Sequence, residues 1–143
     1  MHINSFRKIT GLVLLVLFNI SFMSGCADIT VYNYDYKGES ANWTAEYKGF
    51  SQVEYYKENG TLHTKNAADG ELIFKYKGEL YELSSVKEMD YKFIHGTRKK
   101  TFQNGPDKKN FIDNYNIFGT PKESIDLNIT LDGKTETIIM KRR

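Results

Sequence analysis

The sequence predicts an all-β fold: an antiparallel β-sandwich of immunoglobulin-like form, preceded by a cleaved leader. Three observations predict it. Apolar and polar residues alternate with period two, as in Ile125, Leu127, Ile129 and Leu131 against Ser124, Asp126, Asn128 and Thr130. Turn residues punctuate the runs at short intervals. Tyr and Phe are abundant, at ten and nine residues, and Pro is scarce, at two. Aromatic and β-branched side chains pack well on a pleated surface. A small lipocalin-like β-barrel is the alternative, because short alternating strands serve both architectures.

The strands follow in order. Ile29, Val31, Tyr34 and Tyr36 are too apolar for a flexible linker, so 29–36 reads as a first strand or an ordered lead-in. Trp43, Ala45 and Tyr47 share one parity, with Val53 and Tyr55 following a break at Lys48-Gly49. Glu58-Asn59-Gly60 reads as a turn. Leu72, Phe74 and Tyr76 form the next run, Lys77-Gly78 a tight turn, and Leu80 to Leu83 its continuation. Val86 to Ile94 reads as a strand with Met89, Tyr91 and Phe93 on one face. Residues 96–110 carry loop composition, including Pro106. Phe111 to Phe118 has Ile112, Tyr115 and Phe118 at helical spacing, so a short helix competes with an irregular strand.

The sharpest local expectation is the last hairpin. Asp132-Gly133 suits a two-residue turn in which both central residues need positive φ. It predicts pairing of Leu131 with Lys134, Leu127 with Ile138, and Ile125 with Met140. A slip of one residue would turn the apolar set to solvent.

The N-terminus reads as a secretory leader. Arg7 and Lys8 form a positive start, and the apolar stretch Ile9 to Met23 follows, 15 residues long and interrupted by Thr10, Gly11, Asn19 and Ser21. A bilayer span needs roughly 20 mostly apolar residues. The stretch ends in Met23-Ser24-Gly25-Cys26, which contains the single cysteine of the chain. This run resembles a bacterial lipobox, with Met23 where leucine is usual. The resemblance implies a diacylglyceryl thioether on Cys26 and cleavage between Gly25 and Cys26. Two acyl chains anchor stably, whereas one is marginal. The expected organisation is a signal peptide over 1–25 and a single all-β ectodomain over 26–143, held outside the cytoplasm at the cell membrane.

The formal charge of +2 does not describe that ectodomain. Arg7 and Lys8 depart with the leader, which leaves 18 basic and 18 acidic side chains. A neutral chain has no bulk attraction to nucleic acid, and none is expected as a partner. With Cys26 lipidated, no thiol is left for catalysis or a disulfide.

No motif supplies a reaction. His63 and His95 lie 32 residues apart without metal-ligand spacing, and most simply are exposed or structurally bonded. There is no nucleophile elbow and no phosphate-binding glycine loop. Asp107 to Asn114 lacks the alternate spacing and central Gly of a calcium loop. No catalytic residue, metal or cofactor is therefore expected. Trp43 reads as a core residue opening a strand rather than as a ligand platform. The basic clusters Arg98-Lys99-Lys100, Lys108-Lys109 and Lys141-Arg142-Arg143 read first as solvated turns and tail. The sharper reading gives Arg98, Lys99 and Lys100 contact with anionic headgroups or wall polymers, at about 1 kcal/mol per residue.

Gly38-Glu39-Ser40-Ala41-Asn42-Trp43, followed by Tyr47, and Leu131-Asp132-Gly133-Lys134-Thr135-Glu136 resemble small lipoproteins of low-GC Gram-positive bacteria. In such sequences tryptophan often stands where this chain has Leu131. The resemblance implies a cell-surface β domain and carries over no catalytic residue. The expected function is binding of an envelope protein, a wall polymer or a small ligand, with lipocalin-like carriage of an apolar ligand as the alternative.

Overall fold

Most of the alternating runs become strands in the structure, a computed structural model that describes residues 28–143. The strands are β1 (Asp28–Glu39), β2 (Trp43–Glu58), β3 (Thr61–Tyr76), β4 (Glu88–Phe93), β5 (Gly96–Thr101), β6 (Asn110–Asn114), β7 (Ser124–Leu131) and β8 (Lys134–Arg142). They form one sheet in the order β5-β4-β7-β8-β1-β2-β3-β6. The described residues fall into two compact units. Asp28–Ile29 and Glu54–Lys65 belong to the smaller, Thr30–Val53 and Asn66–Arg143 to the larger.

In the smaller unit β2 turns into β3 through Asn59 and Gly60, with φ of 50° and 79°. Positive φ at both positions matches the right-handed twist of the flanking strands. Tyr56 stacks on His63 with ring centroids 5.4 Å apart.

In the larger unit each strand sends one parity inward. Trp43, Ala45 and Tyr47 of β2, Leu72 and Phe74 of β3, and Met89, Tyr91 and Phe93 of β4 are buried. Leu127 and Ile129 of β7 and Ile138 and Met140 of β8 join them. Rings interlock at the centre: Trp43, Phe74 and Phe111 lie within 5.9 Å of one another by centroid, and Phe74 lies 4.9 Å from Tyr91. Each such ring removes about 150–250 Å² from water, which makes this cluster the main source of stability. The last hairpin has the expected register, with Leu131 opposite Lys134, Leu127 opposite Ile138 and Ile125 opposite Met140. Asp132 and Gly133 have φ of 44° and 83°.

The expected pair of stacked sheets is not found among the described residues. Their strands form a single antiparallel sheet, which in the larger unit curls into a half-barrel. The curl brings the inner face of β6 to that of β4 and β5. Asp113 of β6 accepts hydrogen bonds from the Tyr91 hydroxyl at 2.6 Å and from Arg98 Nε at 3.1 Å. Strand twist of about 20–25° per neighbour accumulates across many strands and rolls an open sheet up on itself.

Four local expectations also change. Residues 80–83 form a 3₁₀ turn rather than a strand, closed by Glu82 N–H to Glu79 O and Ser84 N–H to Tyr81 O. Gly96–Thr101, expected as loop, is the edge strand β5. Its inward positions, opposite Met89 and Tyr91, are Lys100 and Arg98, so charge masks the alternation. The segment from Phe111 is a strand only as far as Asn114, without a helix. Lys48-Gly49 does not break β2. Ser51 continues the inward parity, and its hydroxyl is satisfied inside by Tyr34.

Candidate functional site

The connection between β6 and β7, residues 115–123, makes no regular structure and is held by side chains from the barrel wall. The Tyr34 hydroxyl donates to Gly119 O at 2.5 Å. Its one proton is thereby used, so the Ser51 hydroxyl, 2.7 Å away, donates to it. The Tyr36 hydroxyl donates to Lys122 O at 2.7 Å. Burial raises the Tyr36 pKa, which keeps that donor protonated. Tyr47 donates to Tyr115 O at 2.8 Å, and Arg142 N–H to Glu123 O at 2.9 Å. The connection is therefore pinned from β1, β2 and β8.

Between this connection, the β4–β5 turn and the start of β7 lies an open cleft of about 430 Å³. That is within the usual range for small-molecule pockets, about 300–1,000 Å³. Its apolar wall is Ile94, Ile117, Phe118, Pro121 and Ile125. Phe118 is 57% exposed there. The polar groups are Lys92, His95 and Lys122 on one hand, and Asp126, Asn128, Thr120 and Ser124 on the other. Lys92 and Asn128 are register partners across β4 and β7. Thr137 donates to Asn128 Oδ1 at 2.6 Å, which fixes the amide of Asn128 at the edge of the cleft.

The β4–β5 turn is strained. Phe93 pairs with Gly96, so Ile94 and His95 are the two central residues. Ile94 has φ of 51°. A β-branched residue in this region is a genuine outlier, costing about 1–3 kcal/mol unless its surroundings hold it. Ile94 packs against the core cluster and presents itself to the cleft.

Ser124 has no histidine base hydrogen-bonded to it, and His95 has no carboxylate hydrogen-bonded to it, among the described residues. Nor do three His, Cys, Asp or Glu side chains gather there as a metal would need. An apolar wall facing mixed charge suits a small molecule with an apolar body and polar or zwitterionic groups.

The residues singled out in the sequence fall elsewhere, apart from His95. Gly25 and Cys26, the cleavage and lipidation positions, lie outside the described residues. Arg98, Lys99 and Lys100 share β5 but each is engaged within the chain. Arg98 pairs with Asp113, Lys99 Nζ lies 2.6 Å from Glu88, and Lys100 Nζ lies 5.7–5.8 Å from the Phe111 and Tyr91 ring centres. Trp43 is 2% exposed, in the core.

The two sequence motifs meet. Asn42 offers its backbone N–H and its side-chain amide to the two carboxylate oxygens of Glu136, at 2.8 and 3.0 Å. Burial alone would raise the Glu136 pKa. Hydrogen bonds from the turn at 40–42 outweigh it and hold the carboxyl below its ordinary value. Beside them Trp43, Leu131, Lys134 and Thr135 line a smaller hollow of about 210 Å³. This clamp joins the β1–β2 turn to β8.

The cleft itself carries no sequence signal. Its residues come from three separated segments, in β1, at the end of β4 and over 117–128, and none stands in a motif. The nearest cue is Pro121 after Gly119 in a stretch without alternation. No protein-family model, curated protein or solved structure matches this chain.

Proposed function

We propose that this is a lipid-anchored cell-surface protein that binds, without catalysis, a small ligand or a projecting group of an envelope partner. The observation that carries the reading is Met23-Ser24-Gly25-Cys26 at the end of an apolar leader, with the first strand beginning at Asp28. The cleft beside Ile94 and Phe118 supports binding, because it combines an apolar wall with unspent hydrogen-bonding groups.

Growth with a clickable fatty acid, followed by envelope fractionation, tests the anchor. The native chain takes the label and sediments with membranes. Cys26→Ala takes no label and remains an uncut precursor. Normal processing of that variant defeats the reading. Capture from detergent-solubilised envelope tests the cleft, using Thr120→Trp to fill it from its rim. A ligand or partner recovered with the native chain and lost with the variant supports it. Turnover of a substrate by the purified ectodomain overturns the non-enzymatic assignment.

A lipocalin-like carrier is the second reading, favoured by the single curled sheet. Its ligand would sit in the cleft, since Trp43, Tyr47, Phe74 and Phe93 fill the inner face with at most 2% exposure each. Solvent extraction of the purified protein separates the two. An apolar molecule recovered at one per chain supports carriage.

A further inference from the structure

We propose that the tip of the β2–β3 hairpin rests in the headgroup region of the membrane through the face that carries Tyr55 and Leu62. The proposal rests on lipidation of Cys26.

Chain length carries the argument. Asp28 is two residues from Cys26. Two extended residues reach at most about 7 Å. No spacer therefore separates a lipid on Cys26 from the start of β1, and Asp28–Ile29 must lie at the bilayer surface. Asp28 and Ile29 form one compact unit with Glu54–Lys65, the hairpin tip. What anchors the first part brings the second to the same surface.

The tip has the chemistry for it. The two-residue turn at Asn59-Gly60 pairs Glu58 with Thr61 and, two positions back, Tyr56 with His63. Residues therefore divide between two faces. One carries Glu54, Glu58, Lys65 and the Tyr56–His63 stack. The other carries Tyr55, Lys57, Leu62 and Thr64, and Asp28 of β1 shares its parity. On it Leu62 is 61% exposed and Tyr55 41%. Tyrosine, an aliphatic residue and lysine on one face is the composition that settles at a membrane interface.

The test uses the full lipidated chain in phosphatidylcholine–phosphatidylglycerol vesicles. Because Cys26 is the single cysteine and its sulfur is held in the thioether, Leu62→Cys or Glu58→Cys supplies the one free thiol for an environment-sensitive dye. Glu58 lies on the opposite face of the same hairpin tip. Both positions are exposed, so both variants keep the fold. Lipid-borne quenchers should quench the dye at 62 at least threefold more than at 58. Equal quenching, with mass spectrometry showing Cys26 acylated, overturns the proposal and leaves the anchor standing. An unacylated Cys26 overturns both. Protection of position 62 in whole cells but not in vesicles shows that a protein covers the tip, and also overturns it.

Discussion

Asp113 and Arg98 stand on strands at opposite edges of one sheet, yet their side chains lie 3.1 Å apart. The same carboxylate oxygen accepts the Tyr91 hydroxyl, and the other oxygen accepts Asn114 N–H at 2.9 Å. The seam of the half-barrel is thus closed by side chains where a full barrel would use backbone hydrogen bonds. Inward charge on an edge strand also opposes pairing with another chain.

Loss of the shared acceptor should cost more than loss of one donor. Asp113→Ala leaves the Tyr91 hydroxyl without its partner, at about 1–3 kcal/mol. Arg98→Ala removes a half-exposed ion pair, and should cost under about 1 kcal/mol. Urea unfolding of both variants checks the order.

Gly70 is required by Tyr47. A methyl group on Gly70 would overlap the Tyr47 hydroxyl. Gly70→Ala should therefore destabilise by about 1–3 kcal/mol through overpacking. Tyr47→Phe removes the hydroxyl, so the same substitution in that background should cost less. Non-additivity in a double-mutant cycle is the expected result.

Asp132 does two things. It holds φ of 44° in the β7–β8 turn, and its carboxylate accepts Lys87 and Glu88 N–H at 3.1 and 3.0 Å. Asp132→Gly keeps the turn conformation and loses the hydrogen bonds, at about 1 kcal/mol. Asp132→Ala adds the left-handed backbone cost of about 1–2 kcal/mol. Thermal unfolding should rank the native chain first, the Asp132→Gly variant second and the Asp132→Ala variant last.

Stability should fall at both ends of the pH range. Burial pushes Tyr47 up to about 12 and raises Tyr91, whose hydroxyl also donates to Asp113. A raised folded pKa means stability is fully present below the ordinary tyrosine value of about 10. It is then lost as pH rises toward 12. Glu136 is depressed, so its contribution is present above the usual carboxylate range and lost as pH falls through the folded value. Circular dichroism melts from pH 3 to 12 should show a plateau between these limbs. Tyr47→Phe should delay the alkaline one.

The alternation of apolar residues by itself determined which faces are buried: Trp43-Ala45-Tyr47, Met89-Tyr91-Phe93 and the register of the last hairpin. These depend on neighbours in sequence and on the two-residue period of a strand. Edge strand β5 escaped that reading because Arg98 and Lys100 face inward, where only Asp113, Tyr91 and Phe111 make such charge tolerable. The cleft escaped it too. Lys92, Phe118 and Asp126 are unremarkable in their own segments and become a site only when β4, the 115–123 connection and β7 converge. Sheet closure was likewise a tertiary decision. Local pattern sets which side of a strand is apolar, whereas the number of strands bonded in one sheet, and their summed twist, decides whether that side faces a second sheet or its own far edge.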